Sequence, residues 1–338
     1  MTARPRNGGS RAALATAVVV AGLLLAGLLL AGCAGSGGGR GSDRPEQDAS
    51  LLLDFTPNAV HAGIYAAVAR DFDGAEGVGL AVRVRARRRD AVKLLSSGRV
   101  DFAVLDIHDL ALARERGTDL VGVLAIVQRP LASVIGGRGV RTPRDLEGRR
   151  VGVTGLPSDD AVLDAVVRGA GGDPRRVRRV TIGFNAVSAL LTGRVAGATA
   201  FWNVEGETLR ARRPGTRVFR VDDFGAPPYP ELVLVTSRAT LQDKPAVVRA
   251  TVAALGRGYE EAKIDPEFAV GAMVEAVRGL DRAQLQAGFE AVAPAFSSGP
   301  RGFGVLDRAR LAAWGRWEAK VGITREPVKP EEAFAGLR

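Results

Sequence analysis

The chain has 338 residues, 46% of them apolar and only 5% aromatic, with a formal charge of +10 and a single cysteine. That length and apolar share can bury a large core without cross-links, and the lone Cys33 excludes a disulfide framework, a thiolate metal cluster and a cysteine nucleophile in the folded part. The charge falls to +7 once Arg4, Arg6 and Arg11 are set aside, and no nucleic-acid motif accompanies it, so no nucleic-acid partner is expected.

In chain order, the basic head and the apolar run Ala12–Ala31 lead to Leu30-Ala31-Gly32-Cys33. This is the pattern of a secretory signal over residues 1–32, and its Cys33 resembles the lipidated cysteine of a bacterial lipobox. The run is also long enough for a retained membrane span. Either way the rest of the chain lies outside the cytoplasmic membrane, tethered to it. The Gly/Ser-rich stretch 33–49 reads as the tether, and about 290 residues follow it, enough for two lobes of ordinary size.

Strand-like and helix-like segments then alternate. "SLLLDF" is a strand, "HAGIYAAVARDF" a helix, "LAVRVRAR" a strand, "DAVKLLSSG" a helix, "VDFAVLD" a strand and "IHDLALARERG" a helix. In "RVRARRRD" the arginines alternate with Val84 and Ala86, as on the solvated face of a strand. "LVGVLAIV" and "LASVIGG" are strands flanking Gln128-Arg129-Pro130. The pattern restarts at "TPRDLEGRRVGVTG", runs through the helix "DDAVLDAVVRGAG" to the strands "AGATAFW" and "RVFRV", and gives way to a largely helical tail after "ELVLVTS". Such alternation predicts an α/β fold with largely parallel sheets, whose clefts lie at the carboxyl ends of strands.

Five places carry chemistry. In "DFTPNAVHAGIYAA", Thr56-Pro57-Asn58 is a turn, and His61 and Tyr65 share a helix face. They are either packing residues or a pocket rim. "DIHD" sets Asp106, His108 and Asp109 together, but the two histidines of the chain lack metal-site spacing and no metal is expected. The Thr154–Ser158 loop has neither a nucleophile motif nor a P-loop lysine. It suits a cradle for an anion or polar group at a helix start. "AFWNVEG" offers Trp202, Asn203 and Glu205 at one strand end, either as core and helix cap or as stacking and pairing groups for a flat heteroaromatic ligand. Tyr229, in "GAPPYPELVLVTS", precedes a strand that returns the chain to its first unit, as at a hinge.

Together, "DFTPNAVHAGIYAA", "SSGRVDFAVLD", "TPRDLEGRRVGV", "AFWNVEG" and "PPYPELVLVTS" resemble the substrate-binding proteins of ABC importers, in the family of thiamine-pyrimidine-precursor and alkanesulfonate binders. The resemblance implies a type II periplasmic-binding fold of two α/β lobes, with residues 50–139 and 231–338 in the first lobe and 140–230 in the second. It implies a ligand pocket formed by Asn58, His61, Tyr65, Asp106 and His108 facing Thr154, Ser158, Trp202, Asn203, Glu205 and Tyr229. Trp202 would stack on an aminopyrimidine and Glu205 would hydrogen-bond to it. It further implies a monomeric, lipid-anchored receptor that needs no cofactor and serves a permease with its ATPase. Riboflavin or a sulfonate is the alternative ligand, Arg129 and Arg138 being the basic residues to watch. The alternative activity is a pyrimidine synthase on the same scaffold. Phe55 stands where the family commonly has Trp, and a cysteine cluster used by the yeast synthase is missing.

Overall fold

The computed structural model describes residues 47–84, 91–297 and 302–338. The expected signal, Cys33, most of the tether and all but the first two residues of "RVRARRRD" lie outside these residues. Among the described residues no helix is long and apolar enough to cross a membrane.

Among the described residues ten strands form two sheets: β1 Gln47–Leu52, β2 Val78–Arg83, β3 Phe102–Asp106, β4 Leu120–Val127, β5 Ala132–Gly136, β6 Arg150–Val153, β7 Arg178–Thr181, β8 Gly197–Phe201, β9 Arg217–Arg220 and β10 Leu232–Ser237. The first sheet runs β2-β1-β3-β10-β4 and the second β7-β6-β8-β5-β9. Pairing is parallel among β1, β2 and β3 and again among β6, β7 and β8. The strands on the return path, β10 and β5, are antiparallel to their neighbours. β3 is buried along its whole length, and β4 and β10 almost so, which is why they read as unbroken apolar runs rather than alternating ones.

Two expectations are corrected. β1 begins at Gln47, inside the stretch assigned to the tether. β5, placed in the first lobe, is hydrogen-bonded along its length to β8 and to β9 in the second sheet. The first crossing between sheets is therefore Gln128–Leu131, not the neighbourhood of Gly139. A short apolar strand carries no mark of which sheet it joins.

The crossings at 128–131 and 225–231 lie side by side and are tied together. Leu131 N–H donates to Glu231 Oε2 at 2.8 Å. Arg310, on the helix Arg308–Val321, donates to Gln128 O at 2.7 Å and to Pro228 O at 3.3 Å. The helical tail also returns to the first lobe, where the helix Pro245–Ile264 crosses Ala62–Ala69 at close range. A Cβ on Gly258 would stand 2.2 Å from Gly63 O, whereas Gly256, two residues earlier, faces open space.

Gly258→Ala is expected to destabilise the protein by about 1–3 kcal/mol through overpacking. Gly256→Ala in the same helix should stabilise it by about 0.5–1 kcal/mol through helix propensity. Urea titration of the two variants checks the pair, and equal shifts would contradict the crossing.

Candidate functional site

The opening loop builds itself before it builds a site. Asn58 Oδ1 accepts Val60 N–H at 3.2 Å and its Nδ2 donates to Thr56 O at 3.0 Å, so the residue caps the turn that starts the helix. His61 Nδ1 accepts Asn58 N–H at 3.1 Å, which assigns the ring proton to Nε2, 2.8 Å from Asp54 Oδ1. His61 is fully buried and Tyr65 is 7% exposed, its hydroxyl pKa raised by burial. Both expected pocket residues are instead part of the loop's brace and the core. Potent residue types served packing here, the plainer of the two readings their spacing allowed.

A cleft opens where the carboxyl ends of β3, β6 and β8 meet between the sheets, with a cavity of about 40 Å³. The first lobe supplies Asp106 and His108, Glu231 enters from the second crossing, and the second lobe supplies Thr154, Ser158, Asp159 and Glu205. Five of the expected residues thus share one cavity: Asp106, His108, Thr154, Ser158 and Glu205. Phe184 also lines it, and its ring centroid lies 5.6 Å from that of Phe55 on the opposite lobe. Phe55, Asn58 and Asn203 line a second recess between the lobes instead.

The segment Trp202–Gly206 is a π-helical turn, a geometry that often marks functional sites. Within it Glu205 reaches the cleft, and its Oε2 accepts Phe201 N–H at 3.1 Å. Trp202 does not line the cleft. It is 1% exposed, its Nε1–H donates to Pro130 O at 2.9 Å, and the Arg220 guanidinium lies 4.0 Å from its ring centroid. The expected stacking residue is thus a strut against the first crossing. Tyr229 is also fully buried, with its ring 5.7 Å from that of Trp317.

The cleft is acidic. Among the described residues none that lines it is Lys or Arg. Arg129 is engaged by Asp222 at 2.6 Å and Asp223 at 3.4 Å, and Arg138 lines a separate surface depression. The anticipated anion cradle at the start of the helix Pro157–Gly169 is already filled. Asp159 Oδ2 accepts Gly155 N–H at 2.9 Å and Leu156 N–H at 3.2 Å, and bonds the Thr154 hydroxyl. The chain's own carboxylate takes the donors that a sulfonate would need.

Beneath the cleft lies a buried charge network. His108 Nδ1 pairs with Glu318, its Nε2 lies 3.2 Å from the Tyr229 hydroxyl, and its backbone N–H donates to Asp106 Oδ1 at 2.8 Å. Burial opposes the His108 charge, but Glu318 and Asp106 outweigh it and raise the pKa to about 10. Burial and the Asp106 carboxylate push Glu231 up to about 8, against the pull of His108 and the backbone N–H groups of Leu131 and Ala132. Donor atoms of Asp106, His108 and Glu231 lie within 4.8 Å of one another. Both His108 ring nitrogens are already engaged, by Glu318 and by the Tyr229 hydroxyl, so the trio could hold a metal only by giving up one of these contacts.

Sequence reasoning missed Glu231, Asp159 and Phe184. Glu231 alone left a signal, as the one acid heading the apolar strand in "YPELVLV".

Two α/β lobes joined by paired crossings, with a cleft at their strand ends, define the periplasmic-binding-protein fold. The alkanesulfonate-binding protein SsuA from Xanthomonas axonopodis pv. citri bound to MOPS superposes with a TM-score of 0.67 at 15% identity, over 86% of this chain and 99% of that one. The ligand-binding component of an ABC-type import system from Staphylococcus aureus, with zinc bound, gives 0.67 at 14% identity over 86% and 96%. Identities this low carry the fold alone. The NMT1/THI5-like family model matches residues 58–269, and the chain belongs to that family. The formylaminopyrimidine-binding protein of Halalkalibacterium halodurans is 30% identical over 235 residues, 69% of this chain and 71% of that one. The 4-amino-5-hydroxymethyl-2-methylpyrimidine phosphate synthase of Legionella pneumophila is 26% identical over 253 residues, 73% and 79%.

The raised pKa values fix the sign of a pH effect. Stabilisation from each group is full below its unfolded pKa and is lost as pH rises through the folded one, from 4.5 to about 8 for Glu231 and from 6.5 to about 10 for His108. The melting temperature is expected to fall as pH rises from about 5 to about 10. Glu318→Ala, which strands the buried imidazolium, should cost about 3–5 kcal/mol at neutral pH. Calorimetric melting at a series of pH values checks both, and a rise toward pH 10 would contradict the network.

Proposed function

We propose that this chain is an extracytoplasmic solute-binding lipoprotein of an ABC importer, anchored through Cys33, which captures a small donor-bearing heteroaromatic of the formylaminopyrimidine class for its permease. The observation that carries the reading is the charge of the cleft. Asp106, Glu205 and Glu231 line it, no Lys or Arg does among the described residues, and Asp159 fills the cradle at the helix start that would suit an anion. Carboxylates accept from N–H groups and repel sulfonates, so an amino-substituted ring fits where an alkanesulfonate does not. The relationship to a formylaminopyrimidine-binding protein supports the same class.

The lobes supply different parts of the grip. Glu205 accepts from the ring's amino substituent on the second-lobe side. Asp106 closes on the solute from the first-lobe side, at the start of the helix Ile107–Glu115. Phe55 and Phe184, already 5.6 Å apart across the lobes, are the apolar faces that close over a flat ring. A ligand that touches both lobes stabilises the closed arrangement selectively, which is what a receptor needs to signal occupancy to a permease. No bond needs to form or break.

Titration calorimetry of residues 34–338 with formylaminopyrimidine tests the reading. Binding without turnover is expected, and Glu205→Ala should weaken it about 10- to 100-fold, the usual cost of a buried hydrogen bond to a charged group. Absence of binding, or accumulation of a new pyrimidine product, would overturn it.

A further inference from the structure

Glu231 was not expected among the binding residues, yet it occupies the most constrained position in the cleft. It is fully buried at the end of the second crossing, immediately before β10. Its Oε2 accepts Leu131 N–H at 2.8 Å and Ala132 N–H at 3.4 Å from the first crossing, and its backbone oxygen accepts Ile107 N–H at 2.9 Å. One oxygen of the side chain is therefore committed to the hinge. The other, Oε1, is buried and has no hydrogen-bond partner among the described residues, although the residue lines the cleft.

None of the described groups around that oxygen is bonded to it. Asp106 faces it from the end of β3 and His108 from the following helix. Behind His108 stand Tyr229 and Glu318, which engage its two ring nitrogens. Across the cleft are Glu205 and Asp159, two more carboxylates. A buried polar atom without a partner is costly, and such exceptions call for an explanation. A ligand that brings its own N–H group supplies one.

We propose that Glu231 Oε1 is the acceptor for an amino or amidine group of the bound solute, so that one carboxylate holds the hinge with one oxygen and reads the ligand with the other. The inference rests on the donor-bearing solute proposed above. It adds a consequence which that reading lacks, because the free carboxyl, pushed up to about 8 by burial and by Asp106, holds a proton at neutral pH. Accepting the ligand's N–H on Oε1 favours the carboxylate form, so the proton leaves to solvent as the solute enters. Capture is then tied to proton release, and affinity rises with pH and levels off above about pH 8, as the free site becomes ionised.

The test is calorimetry at pH 7 in two buffers of different ionisation enthalpy, with formylaminopyrimidine as the probe, on the wild type and on Glu231→Gln. Glutamine keeps an acceptor for Leu131 and Ala132 N–H but cannot ionise. The wild type is expected to release close to one proton more per ligand than E231Q, with affinity rising up to tenfold per pH unit below about 8 and at least tenfold weaker binding in E231Q at pH 8. Equal proton counts and equal affinities would overturn the inference and leave the solute assignment standing. If the wild type ignores the pyrimidine, the functional reading fails instead, and benzamidine then decides for Glu231. Binding lost in E231Q supports the role, while unchanged or absent binding overturns it. Should E231Q not fold, the wild-type proton count decides alone, and a value near zero overturns the proposal.

Discussion

The Glu231 carboxylate accepts the backbone N–H groups of Leu131 and Ala132, and through this clasp the two crossings between the lobes are held side by side at the base of the cleft. Much else is arranged around that contact. Trp202 props the first crossing by donating to Pro130 O, and Arg310 from the C-terminal helices bonds Gln128 O and Pro228 O on either side. A hinge assembled from side chain to backbone bonds can bend without breaking a β-ladder, so the two sheets keep their own registers as the lobes move.

The same corner sets the chemistry of the cleft. Acidic groups converge there with one imidazolium, His108, whose charge is maintained by Glu318 and Asp106 against burial. The chain as a whole is basic, at +10, yet among the described residues its cleft carries carboxylates and no Lys or Arg. That contrast is what supports the proposal of a solute recognised by its donors. Solved structures with the same fold include a sulfonate binder, so the fold does not choose the ligand. The choice lies in side chains such as Asp159, which occupies the helix start that would otherwise receive an anion.

Much of the architecture was legible because burial on both faces writes itself as continuous apolar runs, as in "FAVLD" and "LVLVTS", and because helices restore the 3.6 period between them. The assignment of β5 was not legible. "ASVIG" is equally apolar in either sheet, and only pairing with β8 and β9 decides. Asp106, His108, Thr154, Ser158 and Glu205 share one cleft because they follow strands whose carboxyl ends form it. His61 and Trp202 misled because their chemistry is conspicuous in sequence, while the contacts that occupy them, Asp54 within the same loop and Pro130 O from the first crossing, leave no mark in it. Glu231 was overlooked for the opposite reason, since its partners lie about 100 residues away in the first crossing.

The central claim is that an acidic cleft selects donors and rejects anions. Equilibrium competition between formylaminopyrimidine and a short alkanesulfonate for the purified protein tests it most directly. The account predicts that the pyrimidine binds and that excess sulfonate fails to displace it. Displacement of the pyrimidine by the sulfonate, or tighter binding of the sulfonate alone, would contradict the account.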